Sequence, residues 1–291
     1  MPLTHIEKFR VRYYECDQYG HVNNANYLRY MQEAAFGASA QAGYDFAKYD
    51  EIGQYWLVRE TDLEYLKPLR YHDEFEIKTW VQDFRRVRSR RLYEFRLSGS
   101  ADLIARASTD WVYLDLKTNR PVSIPPEMIT AFYPEGVPPQ APPRDPFPDA
   151  PSAPPNVFKM QRRVTFNEID MAQHVNNAVY LSYVEDAAMQ VSAHFGWSAD
   201  QMRAHNFAVV VRQQRIEYLQ PALLGDEIEI STWVSSAKRA SATRHFVLKR
   251  LSDDQLLARV NTGVVFIDLT RGRPIPIPDQ FSIDLAPNIV A

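Results

Sequence analysis

The sequence predicts an α+β fold made of two tandem copies of one domain. Three observations support this prediction. The chain repeats itself at a fixed shift of 153 residues, each copy contains one long segment with helical periodicity, and several strand-like segments follow that helix. The length of 291 residues also suits about two domains.

The repeat is visible in three pairs of segments that share this shift. They are "GHVNNANYL" (20–28) with "QHVNNAVYL" (173–181), "LEYLKPLRYHDEFEIKTWV" (63–81) with "IEYLQPALLGDEIEISTWV" (216–234), and "VYLDLKTNRPVSIPP" (112–126) with "VFIDLTRGRPIPIPD" (265–279). No gap is needed between Asp17 and Pro125. Register kept over such a length indicates two copies of one domain.

The helix of each copy begins after a pair of asparagines. In the first copy one apolar stripe with helical spacing contains Tyr27, Leu28, Met31, Ala34, Ala35, Ala38 and Ala42. Gly43 and Gly196 stand where each helix should end. The many alanines of this stripe predict that another surface approaches the helix closely.

Strand-like segments follow the helix. "FEIKTWVQDF" (75–84), "RLYEFRLS" (91–98) and "LIARASTDWVYLDL" (103–116) alternate or are rich in β-branched and aromatic residues. A helix followed by a meander of long strands, without a βαβ rhythm, predicts an antiparallel sheet that wraps the helix.

A proline-rich segment separates the copies. Half of the 20 prolines lie between residues 134 and 155. Proline fixes φ and removes a donor, so we predict an extended linker and not a helix or inner strand. The predicted domains are 1–132 and 156–291, with the linker at 133–155.

Composition and charge exclude several classes of protein. Hydrophobic residues make up 45% and charged residues 24%, and the formal net charge is −3, so no nucleic-acid or acidic-membrane partner is expected. The single cysteine, Cys16, cannot form an internal disulfide, and no apolar run reaches the ~18 residues of a spanning helix. We expect a cytoplasmic protein.

The motif around the asparagines resembles a known family. "YYECDQYGHVNNANYLRYMQEAA" and "FNEIDMAQHVNNAVYLSYVEDAA" resemble the opening motif of hotdog-fold thioesterases of the 4-hydroxybenzoyl-CoA and acyl-ACP thioesterase kind. The resemblance covers nearly all of the chain outside the linker. It implies two hotdog domains, each a long central helix wrapped by an antiparallel sheet, which pair as an intramolecular pseudo-dimer. Whether this pseudo-dimer assembles into a further homo-oligomer stays open. Active sites at the interface of the two domains, and hydrolysis of an acyl thioester of coenzyme A or acyl carrier protein, are also implied.

The chemistry of thioester hydrolysis suits these residues. Asp17 and Asp170 can attack the carbonyl or act as general base for water, and His21 and His174 can orient the water or serve as structural ties. The helix start supplies N–H groups for an oxyanion hole. A thiolate leaves without a strong general acid. An aspartate and a histidine four residues apart could begin a metal site, but no third or fourth ligand appears at matching places in both copies, so we predict no metal. We also predict no cofactor.

The other candidate residues have a structural alternative. Asn23, Asn24, Asn176 and Asn177 are candidate substrate contacts, but helix caps and loop ties are the favoured interpretation. Tyr27 and Tyr180 are candidates too, although they fall on the apolar stripe. Arg86, Arg91, Arg239 and Arg244, in "RRVRSRR" (85–91) and "KRASATR" (238–244), are candidate phosphate contacts or solvated charges.

Two departures limit the resemblance. Plant acyl-ACP thioesterases place an asparagine where this chain has Tyr19 and Ala172, which favours a simpler, Asp-centred site of the acyl-CoA type. The helix also carries Glu185 in the second copy but Gln32 in the first, so one site is expected to be weaker. Cys16 corresponds to Ile169 in the second copy, an apolar residue, and is therefore interpreted as a small core residue.

Two other functions stay open at this point. One is a hotdog hydratase or dehydratase that acts on acyl thioesters. The other is a non-catalytic protein that binds acyl thioesters. Retention of the aspartate and the histidine in both copies favours hydrolysis over binding alone.

Overall fold

The structure is a computed structural model that describes residues 1–137 and 143–290. The chain forms two compact units, Met1–Pro146 and Phe147–Ala291. Within the described ranges, no helix combines the length and the apolar character that crossing a membrane requires.

The first unit is a five-stranded antiparallel sheet with one long helix. Its elements are β1 (Thr4–Arg10), α1 (Asn24–Gln41), α2 (Phe46–Ile52), β2 (Gln54–Tyr65), β3 (Glu74–Arg85), β4 (Arg88–Leu97), β5 (Leu103–Asp115) and α3 (Pro126–Phe132). The strands lie in the order β1-β3-β4-β5-β2. The predicted meander of three strands is therefore present as β3, β4 and β5.

Helix α1 packs its apolar stripe against the inner face of this sheet. The rings of Tyr27 and Phe95 are 5.5 Å apart between centroids, and those of Tyr30 and Phe75 are 4.9 Å apart. Ala34 is fully buried, so the small side chains do allow a close approach. Gly43 follows the helix with φ +84°, a conformation that glycine adopts without strain.

The second unit repeats this arrangement. Its elements are β6 (Phe158–Arg163), α4 (Asn177–His194), α5 (Ala199–Ala204), β7 (Phe207–Tyr218), β8 (Glu227–Ser235), β9 (Ser241–Arg250), β10 (Leu256–Asp268) and α6 (Asp279–Leu285). The strand order is β6-β8-β9-β10-β7. A long helix with an antiparallel sheet in each unit confirms the predicted α+β tandem hotdog fold.

One element differs from the prediction. A strand precedes the long helix in each unit, and β1 and β6 lie at a sheet edge beside β3 and β8. The prediction of helix first was wrong because these edge strands bury no residue fully. Their few apolar residues, such as Ile6 and Phe9, do not form the alternation that marks a strand buried on one face.

The linker prediction, 133–155, falls partly on residues 138–142, which lie outside the described residues. Residues 143–154 form neither helix nor strand. Before the gap, the buried Tyr133 donates its hydroxyl hydrogen to the carbonyls of Val81 and Gln82, each at 2.7 Å. After the gap, Arg144 forms an ion pair with the buried Asp83. The exact domain boundaries stay predictions.

Candidate active site

Asp17 lies in a tight loop between a 3₁₀ turn (Tyr13–Glu15) and α1. Its Oδ1 accepts the backbone N–H of Tyr19 at 2.8 Å and of His21 at 3.1 Å, and its own N–H donates to the His21 carbonyl at 2.7 Å. Among the described residues, no donor reaches Oδ2. The exposed carboxylate is thus held by one oxygen and presents the other outward.

Asp170 occupies the equivalent loop of the second unit and is held by both oxygens. Oδ1 accepts the N–H of Ala172 at 2.9 Å, and Oδ2 accepts from Nδ2 of Asn176 at 3.2 Å. Gln173 has φ +64° where the first unit has Gly20 at +74°, so both loops make the same turn. The Asp170 side chain is 22% exposed, which leaves it reachable.

The two histidines follow these loops, but their surroundings differ. Burial lowers the pKa of His21, and the charge of the nearby Arg70 lowers it further. The charge of Asp17 acts in the opposite direction and raises it, but by less. His174 Nδ1 lies 3.3 Å from the Val175 carbonyl and 3.9 Å from Asp170 Oδ1. Within the described part of the chain, the buried Nε2 of His174 has no hydrogen-bond partner. That nitrogen is a buried polar atom whose hydrogen-bonding capacity the described residues leave unused.

The asparagine pairs begin the long helices, as the sequence predicts. Asn23 is the N-cap of α1, and its Oδ1 accepts the N–H of Ala25 at 3.0 Å. Asn176 is the N-cap of α4, and its Oδ1 accepts the N–H of Ala178 at 3.0 Å. These contacts confirm the interpretation as helix caps.

Asn24 and Asn177 are the first residues of these helices. Their carbonyls accept the hydroxyls of Tyr65 at 3.5 Å and Tyr218 at 2.9 Å. Their backbone N–H groups have no acceptor in the part of the chain that the structure describes. An unsatisfied N–H at the positive end of a helix is a suitable oxyanion donor.

A buried carboxylate holds the first loop, and it was not predicted from the sequence. Glu15 is 7% exposed, and its Oε2 accepts the N–H of Arg12 at 2.7 Å and the hydroxyl of Tyr30 at 2.6 Å. Its carbonyl accepts the N–H of Asn23 at 2.9 Å and Nδ2 of Asn26 at 2.8 Å. Burial and the hydrogen bond to Glu15 raise the pKa of Tyr30.

The second unit uses Glu168 in the same place. Its Oε2 accepts the N–H of Thr165 at 2.7 Å, and its carbonyl accepts the N–H of Asn176 at 2.9 Å. Arg162 pairs with Glu168 and lies 3.6 Å from the centroid of the Tyr183 ring. The available sequence signal was a glutamate two residues before each aspartate, in "YYECD" and "FNEID".

Tyr27 and Tyr180 are core residues. Each is 2% exposed, and their hydroxyls accept the N–H of Leu69 at 3.4 Å and of Ala222 at 3.0 Å. Burial raises the pKa of Tyr180 to about 12. Because both hydroxyls are closed off, the substrate-binding candidacy of these tyrosines is corrected to a packing role.

The four candidate arginines separate into two classes. Arg91 and Arg244 are 6% and 7% exposed and donate to the hydroxyls of Thr79 and Thr232, each at 3.4 Å. Burial lowers the pKa of Arg244 to about 10. Because both guanidinium groups are buried and donate to threonine hydroxyls, these contacts give no support to the prediction that this pair binds phosphate.

Arg86 and Arg239 are exposed, and they lie in the turns β3–β4 and β8–β9. Their carbonyls accept the N–H of Ile124 at 3.0 Å and of Ile277 at 2.8 Å, so both turns are fixed in the same way. This pair remains open to an anion.

Cys16 is half-buried rather than a core residue. Its thiol lies 3.8 Å from the Arg12 carbonyl. Burial raises the pKa of this thiol, and the charge of Asp17 raises it further. A thiol in this state is a poor nucleophile, so the geometry gives no support to a cysteine mechanism.

Two segments of the chain, residues 11–132 and 164–285, match the model of the thioesterase-like superfamily. The long-chain acyl-CoA thioesterase FadM of Escherichia coli (strain K12) is 34% identical over 126 residues, which are 42% of this chain and 92% of that protein. The chloroplastic oleoyl-acyl carrier protein thioesterase 2 of Arabidopsis thaliana is 25% identical over 204 residues, 65% of this chain and 55% of that protein.

A solved structure shares the fold over both units. The 12:0-ACP thioesterase from Umbellularia californica superposes with a TM-score of 0.71, over 91% of this chain and 94% of that one. Its sequence identity is 18%, so this likeness concerns the fold alone.

Proposed function

This chain belongs to the thioesterase-like superfamily, whose model matches both of its copies, and we propose that it hydrolyses acyl thioesters of coenzyme A or acyl carrier protein to the free acid and the thiol. Relatives named as an acyl-CoA thioesterase and an acyl carrier protein thioesterase support this activity. The observation that carries the proposal is the same pair of groups in each unit: an aspartate fixed by its loop, next to a helix start with an unpartnered N–H among the described residues.

The proposed chemistry uses one carboxylate and one helix end. The thioester carbonyl oxygen accepts the N–H of Asn24 or Asn177, which stabilises the negative charge that develops on it. Asp17 or Asp170 either attacks the carbonyl carbon or removes a proton from an attacking water. The carbon–sulfur bond then breaks with its electron pair on sulfur. A thiolate, with a pKa near ~8.5 by analogy with cysteine, leaves without a general acid.

We expect the Asp170 site to carry most of the turnover. Both Asp170 oxygens are fixed, and the unpartnered Nε2 of His174 belongs to the same loop. His174 Nδ1 lies 3.9 Å from Asp170 Oδ1, whereas the described residues contain no such contact between the His21 ring and Asp17. A preorganised carboxylate loses less free energy to ordering in the transition state.

The test is thiol release from a panel of short, long and aromatic acyl-CoAs and from acyl carrier protein thioesters. Wild type would be compared with Asp17→Asn, Asp170→Asn and the double variant. We expect the double variant to lose activity and Asp170→Asn to lose more than Asp17→Asn. Absence of thiol release by the wild type from every thioester would refute hydrolysis, and hydration of an enoyl thioester would then be the next assay.

The exposed arginines are proposed to hold the phosphates of coenzyme A. We expect Arg86→Ala or Arg239→Ala to raise KM for an acyl-CoA but not for the matching acyl-pantetheine, which lacks the nucleotide phosphates. The buried Arg91 and Arg244 give no matched control because their loss would disturb the core. An equal rise in KM for both substrates would contradict the phosphate role.

A further inference from the structure

The second unit carries a chain of three hydrogen-bonded side chains away from the loop of Asp170. Ser235 Oγ lies 2.7 Å from His245 Nε2, and His245 Nδ1 lies 2.6 Å from Asn261 Oδ1. Asn261 Nδ2 donates to the carbonyl of Pro148 at 2.8 Å. Ser235 and His245 are 5% and 4% exposed.

These contacts define the direction of every hydrogen bond. Because the Asn261 amide nitrogen donates to Pro148, its oxygen faces His245 and accepts the hydrogen of Nδ1. Nε2 then carries the lone pair and accepts the hydroxyl hydrogen of Ser235. Burial lowers the pKa of His245, and the charge of the neighbouring Arg244 lowers it further. The hydrogen bond to Asn261 raises it, but does not offset the effect of burial. The hydrogen bonds therefore place the Nε2 lone pair of His245 towards the Ser235 hydroxyl.

The sheet brings these residues together from three neighbouring strands. Asn261 of β10 pairs directly with His245 of β9, and Ser235 ends β8. Ser236 follows Ser235 with φ +50°, so the serine lies at a strand end before a sharp turn. Thr243 pairs directly with Ser235 and carries a hydroxyl on the same face.

The arrangement faces a cavity. A volume of about 650 Å³ is lined by Ser235, His245 and Asn261, and linker residues Pro148 to Pro151 form part of its wall. Arg215 and Thr243 line the same cavity and are polar groups of the kind that stabilise an oxyanion. This volume falls in the range of ordinary small-molecule sites.

The hotdog fold does not require this chain of hydrogen bonds. At the shift of 153 residues, Ser235, His245 and Asn261 correspond to Gln82, Leu92 and Ser108 of the first copy. The first unit forms the same five-stranded sheet without the serine, histidine and asparagine at those positions. The fold alone therefore does not explain why these three residues are present in the second unit.

We propose that Ser235 is a nucleophile activated by His245 and that this cavity is a second acyl-transfer site, which takes short-chain carboxylic esters. A nucleophile hydrogen-bonded to a base, whose other nitrogen is oriented by a third group, is the arrangement that such catalysis needs. Esters are the favoured class because His245 can return its proton to a poor alkoxide leaving group. The chemistry proposed for the aspartate sites uses no general acid and suits thiolates.

The reaction balances within these residues and one water. Ser235 Oγ bonds to the carbonyl carbon while its proton moves to His245 Nε2. The carbon–oxygen bond of the ester breaks, and the alkoxide takes that proton and leaves as the alcohol. Water then attacks the acyl-serine carbon while His245 Nε2 takes its proton. The bond between this carbon and Ser235 Oγ breaks, His245 returns the proton to Oγ, and the carboxylic acid leaves.

The first experiment is labelling of the full chain with diisopropyl fluorophosphate, followed by peptide mass spectrometry. We expect one adduct on Ser235, formed as the P–F bond breaks. His245→Gln should slow labelling ~100-fold or more, the usual effect of losing a general base. Ser241→Ala is the matched control, because Ser241 begins β9 in the same sheet but is not among the residues that line the cavity, and it should label as the wild type does.

A substrate assay completes the test. We expect the wild type and Ser241→Ala to hydrolyse ethyl butyrate and Ser235→Ala not to. Failure of the wild type to form an adduct on Ser235 would overturn the proposal, and so would equal labelling rates in wild type and a folded His245→Gln. Ester hydrolysis that persists in Ser235→Ala would overturn it as well. Because the adduct is read on one serine, these results are independent of thiol release at the aspartate sites.

Discussion

The same substitution should have different effects on stability in the two units. In Asp17→Asn, one amide oxygen can still accept both loop N–H groups, because Oδ1 takes both and Oδ2 has no donor among the described residues. In Asp170→Asn the amide oxygen still accepts the N–H of Ala172. The new amide NH₂ group, however, faces Nδ2 of Asn176, and two donors cannot form a hydrogen bond with each other. One hydrogen bond to a charged group is lost, at a cost of about 1.5–3 kcal/mol.

This loss should be visible in thermal unfolding. A change of about 2 kcal/mol lowers Tm by roughly 4–8 °C in a domain of this size. Adding Asn176→Asp should restore a donor–acceptor pair, because the new carboxylate can accept from the amide introduced at position 170 and still cap Ala178. Calorimetry would compare wild type, Asp170→Asn, Asp17→Asn and the Asp170→Asn/Asn176→Asp swap. We expect only Asp170→Asn to be clearly destabilised.

Activity separates the role of the carboxylate from that of the fold. Measured in an Asp17→Asn background, the Asp170→Asn/Asn176→Asp variant should regain stability but not thiol release. The reason is that its carboxylate now lies at the helix cap, position 176, and no longer at position 170. The expected loss is about 10²–10⁴-fold, as for a missing general base. Recovery of both stability and activity in the swap would refute the placement of the chemistry at Asp170. Full activity of Asp170→Asn in that background would do the same.

Three further predictions concern mechanism, packing and pH. Single-turnover hydrolysis in H₂¹⁸O should place ¹⁸O in the Asp170 carboxylate if this carboxylate attacks the thioester and water then opens the anhydride at the aspartyl carbon. A general base, or opening of the anhydride at the acyl carbon, places ¹⁸O in the product acid, so only label in Asp170 identifies the nucleophile. Tyr30→Phe should destabilise the first unit by about 1.5–3 kcal/mol, because the buried Glu15 carboxylate loses a hydrogen bond, and unfolding in urea would measure this. The pKa of His245 is lowered in the folded chain, so the His245 imidazole takes up a proton when the chain unfolds below pH ~6.5. Wild type should therefore lose stability as the pH falls below that value, more steeply than His245→Gln; parallel Tm curves would contradict this.

Local features of the site could be predicted from the sequence. The cap role of Asn23 and Asn176 and the turn that positions each aspartate depend on residues within a few positions along the chain. The repeat made these signals stronger, because every local pattern appears twice at one shift. The helix stripe and the central strands followed from periodicity for the same reason.

Non-local features could not be predicted in this way. The buried state of Arg91 and Arg244 depends on which strand face their register selects, and composition indicated only a basic run. The contact of Glu15 with Tyr30 joins a 3₁₀ turn to the first turns of a helix, and neither partner signals it alone. The edge strands carried too little apolar alternation to be recognised.

By itself, the sequence determined the tandem repeat, the α+β class and the position of Asp17 and Asp170 before the capped helices. Only the tertiary structure placed Ser235, His245 and Asn261 side by side, since they are residues of three different strands separated by turns. The physical reason is that short-range rules of capping and periodicity act along the chain. Strand register, which decides burial and side-chain partners across a sheet, is set by contacts between segments distant in sequence.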